Sequence, residues 1–99
     1  MQRYSKLVRD KIPEIIRADG KECEVRIAEG KEKYELLEKK LMEEVNEFLE
    51  DKNLEELADV MAVLFGLARE MGYSEDDLIR KREEKNGERG GFEEGVVLR

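Results

Sequence analysis

Histidine is absent from this chain, and tryptophan is absent with it. Without histidine the chain cannot form a Ser-His or Cys-His catalytic arrangement, a di-iron site of the Glu-x-x-His type, or a histidine-based zinc site. Cys23 is the one cysteine, so no disulfide can form within the chain, and we expect this side chain to point inward from a strand. Acidic and basic side chains are therefore the main groups that remain for chemistry.

A long hydrophobic run is also missing from the sequence. No stretch approaches the roughly 18–20 apolar residues of a membrane span, and the opening residues hold no hydrophobic signal segment. We therefore expect a cytoplasmic protein. The formal net charge of −7 disfavours general binding to nucleic acid or to an anionic membrane, although local basic patches could still hold a small phosphorylated ligand.

Hydrophobic spacing predicts a mainly α-helical protein folded as a single domain over residues 1–99. Apolar residues recur every three or four positions from Lys31 to about Glu50, which is typical of a long amphipathic helix. A short turn at 51–53 precedes a second helix, roughly Leu54 to Met71. Because so short a connection forces the second helix back beside the first, we expect an antiparallel pair within a helical bundle.

Two shorter helices and two strands are predicted around this pair. Pro13 suits the first turn of one helix, and the capping signature at 74–77 starts another that we expect to end near Lys85. Alternation of apolar and charged residues predicts a half-buried strand near residues 22–28, and a β-prone run predicts a second near residues 96–98. The predicted fold class is thus an antiparallel helical bundle with short peripheral strand segments.

Two acidic pairs lie on the central helices. Glu44 and Glu47 are three residues apart on the first helix, and Glu56 and Asp59 repeat this spacing on the second. Residues at i and i+3 share one face of a helix, so each pair can direct two carboxylates to one place, and two facing helices would offer four. Such pairs also arise by chance in a chain that is 45% charged, and Glu56 has an alternative role with Asn53 in a helix cap.

The surroundings of these acids favour a functional site over a solvated surface. Asp59 is the one charge within the apolar stretch Leu57 to Ala68, and Glu44 lies on the apolar stripe of the first helix, where no cationic partner is evident. An unpaired carboxylate in such a place costs on the order of several kcal/mol unless it is protonated or bound to a metal. The apolar stretch also predicts a homodimer or homotetramer, since so small a domain cannot enclose it alone.

Carboxylates without nitrogen or sulfur ligands suit a hard divalent cation. We therefore predict a site for Mg²⁺, with Mn²⁺ as an alternative, formed by Glu44, Glu47, Glu56 and Asp59. Such an ion can lower the pKa of a bound water and polarise a phosphoryl oxygen, which is the minimum needed to hydrolyse a phosphoanhydride. Either Glu43 or Glu47 could orient or deprotonate that water. The basic residues available to hold substrate phosphates are Arg9, Lys11, Lys81, Lys85 and Arg89.

The two acidic blocks, EEVNE at 43–47 and ELAD at 56–59, resemble the EExxE and ExxD signature of the MazG-like all-α nucleoside triphosphate pyrophosphohydrolase superfamily. The opening KLVRDKIPEII and the closing ERGGFEEGVVL are similar in particular to a small branch of house-cleaning pyrophosphatases. The resemblance implies a helical, oligomeric enzyme that hydrolyses a nucleoside triphosphate to monophosphate and pyrophosphate with Mg²⁺. It places the metal ligands at Glu44, Glu47, Glu56 and Asp59, with Glu43 as an adjacent acidic helper.

Two alternative functions remain open at this point. Phosphoribosyl-ATP pyrophosphohydrolase shares the fold and the acidic blocks of the superfamily, and a panel of substrates would separate the two activities. A non-catalytic helical dimerisation module would carry the acids as solvated surface and the apolar helix as its interface. Such a module should show no saturable binding of Mg²⁺ or Mn²⁺ in calorimetry.

Overall fold

The computed structural model describes residues 6–99, which form helices joined by turns and coil. The mainly α-helical fold class is therefore confirmed. The helices within these residues, in chain order, are α1 (Ile12–Ala18), α2 (Gly30–Asp51), α3 (Leu54–Glu70) and α4 (Glu75–Arg89).

The antiparallel hairpin of α2 and α3 forms the body of the structure. Lys52 adopts the left-handed conformation (φ 51°, ψ 47°) that ends α2, and the Asn53 side chain accepts a 2.8 Å hydrogen bond from the backbone N–H of Glu56 to begin α3. These caps reverse the chain within two residues. At the open end of the hairpin, the ammonium of Lys33 lies 3.0 Å from the carboxylate of Glu70.

A narrow core fixes how α2 packs on α3. Within the described residues, the buried apolar side chains are Leu37, Val63 and Ala68. At Gly66, α3 lies close to the Leu37 side chain of α2, because a Cβ atom added to this glycine would lie 3.1 Å from Cδ2 of Leu37. The Leu37 side chain therefore occupies the space in front of Gly66, and this contact sets the register of the two helices.

The strand predictions near residues 22–28 and 96–98 are wrong, because both segments are coil. A strand needs a neighbouring strand to satisfy its backbone N–H and C=O groups, and residues 6–99 offer neither segment such a neighbour. Side chains hold the first segment instead, since Arg26 donates two 2.7 Å hydrogen bonds to the carboxylate of Glu32. Cys23 is half-buried in this coil, where its thiol lies against a backbone carbonyl, rather than on a strand.

Helix α4 begins as predicted and runs past its predicted end. Ser74 and Asp77 form the expected capping box, with hydrogen bonds of 3.0 and 2.9 Å, and these bonds hold the pKa of Asp77 below its ordinary value. The helix continues through Asn86-Gly87 and stops at Gly90, whose φ is 80°. A glycine weakens a helix by about 1 kcal/mol but ends it only where the backbone turns left-handed. Gly90 makes that turn, and Gly87 does not.

The exposed surface is large for a chain of this size. Its accessible area is 9139 Å², against about 5,800 Å² for a compact monomer of equal mass. Its radius of gyration is 17.0 Å, against about 13 Å for a compact domain. On α3, Leu57, Met61 and Leu64 remain 41–50% exposed. No helix in the described part of the chain has both the length and the apolar character needed to cross a bilayer.

We expect the chain to form a homodimer or homotetramer that covers this face of α3. Met61→Glu would place a charge on the face, so it should shift a micromolar sample towards monomer in light scattering because burying that charge is costly. Leu98→Glu, in the almost fully exposed tail, should leave the mass unchanged. A monomeric parent protein would contradict the expectation.

Candidate metal centre

The hairpin brings both acidic pairs together close to its turn. One carboxylate oxygen each from Glu43, Glu44 and Glu47 lie within 4.8 Å of one another, and so do those from Glu44, Glu56 and Asp59. The first group lies near the end of α2, and the second joins α2 to the start of α3. Glu44 belongs to both groups. It is therefore the central acid of the cluster, which we define as these five residues.

Glu44 is the most buried of these acids, at 5% exposure. Its Oε1 atom lies 3.1 Å from the ammonium of Lys40, whereas its Oε2 atom has no hydrogen-bond partner within residues 6–99. The Oε2 atom of Glu56 is buried and without a partner in the same way. An unsatisfied buried acceptor costs about 1–3 kcal/mol, and more when it is charged. Glu44 and Glu56 belong to one group of acids, so a divalent cation held by these residues would offset this cost.

Mutual repulsion among the carboxylates affects their pKa values. The pKa of Glu47 is raised, first by the negative charge of Glu44 and then by loss of solvation. The pKa of Glu43 is lowered instead, chiefly because the ammonium of Lys6 lies 2.7 Å from it. Repulsion of this kind between carboxylates that share a site is what a bound cation would relieve.

The cationic partners of the cluster were not anticipated from the sequence. Lys40 lies 3.1 Å from Glu44 and 3.6 Å from Glu43, so the expectation that Glu44 has no cationic partner is wrong. The i, i+4 spacing of Lys40 and Glu44 on one helix is the signal that could have revealed this pair. A guanidinium N–H of Arg9 donates to Oδ1 of Asp59, which lies 50 positions away in the sequence, and no helical periodicity could reveal this contact.

The structure places the predicted phosphate-binding residues in two different regions. Arg9 alone among the five contacts the acidic cluster within residues 6–99. Lys11 is exposed at the start of α1, and Lys81 on α4 pairs with an acid of its own helix at 3.1 Å. Lys85 and Arg89 are also exposed on α4 and form no ion pair with the cluster. Phosphate binding by these four residues stays a prediction.

The composition and the shape of the cluster fit a hard divalent cation. All of its donors are carboxylate oxygens, which Mg²⁺ and Mn²⁺ prefer. Glu44 is buried at the centre, whereas Glu47 and Asp59 are only half-buried. An ion held here would therefore keep coordination positions open towards solvent for water or a ligand.

Comparison with known families identifies the group to which this arrangement belongs. The model of the MazG-like family matches residues 27–97, a span that contains α2, α3, α4 and every acid of the cluster. No significant match was found among curated proteins or among solved structures. Because the family match covers most of the 99 residues, and the acidic blocks resemble those of the same family, this chain belongs to the MazG-like family.

Proposed function

We propose that this chain is a Mg²⁺-dependent nucleoside triphosphate pyrophosphohydrolase. It would cleave free nucleoside triphosphates, non-standard ones included, to nucleoside monophosphate and pyrophosphate, with Mn²⁺ as an alternative ion. Membership of the MazG-like family supports a pyrophosphohydrolase-type fold. The observation that carries the proposal is the buried Oε2 atom of Glu44, which has no hydrogen-bond partner among the described residues and belongs to a residue grouped with Glu56 and Asp59.

Each acid of the cluster has a role in this proposal. Glu44, Glu47, Glu56 and Asp59 would hold the ion, which would polarise a phosphoryl oxygen and lower the pKa of a water. Glu43 or Glu47 orients that water and accepts its proton. The water oxygen then forms a bond to phosphorus, and the bridging P–O bond between the α- and β-phosphates breaks. Monophosphate and pyrophosphate leave as the two products.

A non-catalytic dimerisation module accounts less well for the position of Glu44. Such a module needs no buried carboxylate, and its acids would be solvated. Glu44 is instead 5% exposed, and one of its oxygens has no hydrogen-bond partner in the described part of the chain. Burial of an unsatisfied carboxylate costs stability, and a bound ion would offset that cost.

Release of pyrophosphate from a panel of nucleotides, with Mg²⁺ and with EDTA, tests the proposed activity. We expect release from nucleoside triphosphates with Mg²⁺ only, and its loss in Glu44→Gln. Glu55→Gln makes the same charge change at an exposed position on α3 and should retain activity. Phosphoribosyl-ATP belongs in the panel, because exclusive cleavage of that substrate would favour the alternative function, phosphoribosyl-ATP pyrophosphohydrolase. No pyrophosphate from any nucleotide would contradict the proposal.

A further inference from the structure

Residues 6–11, which we term the basic arm, lie against the acidic cluster. The ammonium of Lys6 is 2.7 Å from Oε1 of Glu43 on α2. The guanidinium of Arg9 is hydrogen-bonded to Oδ1 of Asp59 on α3. The arm therefore places a cation at each of the two helices that form the candidate metal centre.

Charge balance explains why cations gather at this place. Five carboxylates belong to the cluster, and Lys6, Arg9 and Lys40 are the cations paired with them among the described residues. Within residues 6–99 the cluster therefore has two more negative than positive charges, which one divalent ion would balance. An ion that enters must compete with the cations already present for the same carboxylates.

Exposure indicates which of these cations can leave. The side chain of Lys40 is only 16% exposed and projects from the same helix as Glu44, so it is fixed beside that acid. The side chain of Arg9 is 59% exposed, and its partner Asp59 is 34% exposed. Exposed ion pairs contribute little to stability, so solvent can replace the contact between Arg9 and Asp59 at small cost.

We propose that Arg9 is a counter-cation that the divalent ion displaces from Asp59, and that the displaced guanidinium then binds the substrate phosphates. The second half of this inference rests on the proposed function. A divalent ion at Asp59 repels a neighbouring guanidinium, whereas a triphosphate bound there attracts it. The planar fork of N–H donors on arginine suits phosphate as well as carboxylate, so the same group serves in both states.

A fixed Arg9 would give the opposite result. If the guanidinium stayed on Oδ1 and oriented Asp59 towards the ion, its removal would weaken metal binding about 10- to 100-fold. If it competes with the ion, its removal strengthens metal binding. The sign of one affinity change therefore separates the two roles.

Calorimetric titration with Mg²⁺ tests the first half of the inference. We expect Arg9→Gln to bind Mg²⁺ about three- to tenfold more tightly than the parent, because one competing positive charge is gone. Arg82→Gln removes an equal charge from the exposed face of α4 and should match the parent. Unchanged or weaker binding by Arg9→Gln, in a parent that binds Mg²⁺, would overturn this inference and leave the proposed function standing. A parent without saturable Mg²⁺ binding would overturn the proposed function itself.

Binding of a non-hydrolysable nucleoside triphosphate analogue tests the second half. With Mg²⁺ present, Arg9→Gln should bind the analogue about tenfold more weakly than the parent or Arg82→Gln. With EDTA in place of Mg²⁺, the same variant should differ little from the parent, since Arg9 is then held by Asp59. An equal loss of analogue affinity in both conditions, or no loss in either, would overturn the transfer of Arg9 to phosphate. Thermal melts in EDTA verify that Arg9→Gln is folded before either titration.

Discussion

Asp59→Asn is expected to lose most of its stabilisation by Mg²⁺ while it melts within about 5 °C of the parent in EDTA. The pair of Arg9 and Asp59 is largely exposed, so its loss costs only about 0–1 kcal/mol. Relief of repulsion among the remaining carboxylates offsets part of that cost. At a Mg²⁺ concentration of about 100 times its dissociation constant, the parent should gain about 2.7 kcal/mol, and the variant far less. Hydrolysis should fall by more than about a hundredfold.

Melts of both proteins in EDTA and in excess Mg²⁺, together with pyrophosphate release, provide the measurement. Glu55→Gln is the matched control, because it neutralises an exposed acid of the same helix that lies outside the cluster. It should respond to Mg²⁺ like the parent. A large loss of stability for Asp59→Asn in EDTA, with an unchanged response to Mg²⁺, would make Asp59 part of a structural ion pair.

Leu37→Ala should lower the free energy of unfolding by about 2–4 kcal/mol. Leu37 is buried between α2 and α3, and it fills the space in front of Gly66. The expected cost therefore includes both the lost burial and the cavity that remains. Since this contact also sets the register of the two helices, the response to Mg²⁺ should weaken in the same variant.

Urea unfolding at fixed protein concentration measures this effect, because self-association would otherwise shift the midpoint. Leu54→Ala removes the same atoms from a side chain that is 80% exposed at the start of α3, so it should change stability by less than about 0.5 kcal/mol. Equal stabilities for the two variants would mean that Leu37 does not anchor the hairpin.

The helices were predictable because each carries its own signal. The apolar residues of α2 repeat at helical spacing, and the caps at Asn53 and Ser74 depend on residues within one turn. The strand near residues 22–28 was mispredicted for the opposite reason. Alternation of apolar and charged residues indicates which side chains could face inward from a strand. A strand forms, however, only beside a partner strand from elsewhere in the chain, and residues 6–99 supply none.

The part of the candidate site that depends on local sequence was also predictable. Spacing alone indicated that Glu44 and Glu47 share a face, and the short turn indicated that Glu56 and Asp59 would approach this face. The structure groups Glu56 and Asp59 with Glu44. The contact of Arg9 with Asp59 joins segments whose relative position depends on the path of the chain through 18–30, which is largely coil. No local pattern encodes such a path.

The two-residue turn at Lys52 and Asn53 makes the hairpin intolerant of changes in length. Each residue added to an α-helix rotates everything beyond it by about 100°. One residue inserted between Asn53 and Glu56 would therefore swing the acids of α3 away from Glu44 and turn Val63 out of the core together, because both lie beyond the insertion on the same helix. Insertions and deletions can be accommodated in the coil before α2 and in the tail after α4, because these segments are not helical and a change in their length rotates no helix face. The length of the turn therefore determines both the geometry of the acids and the packing of the core.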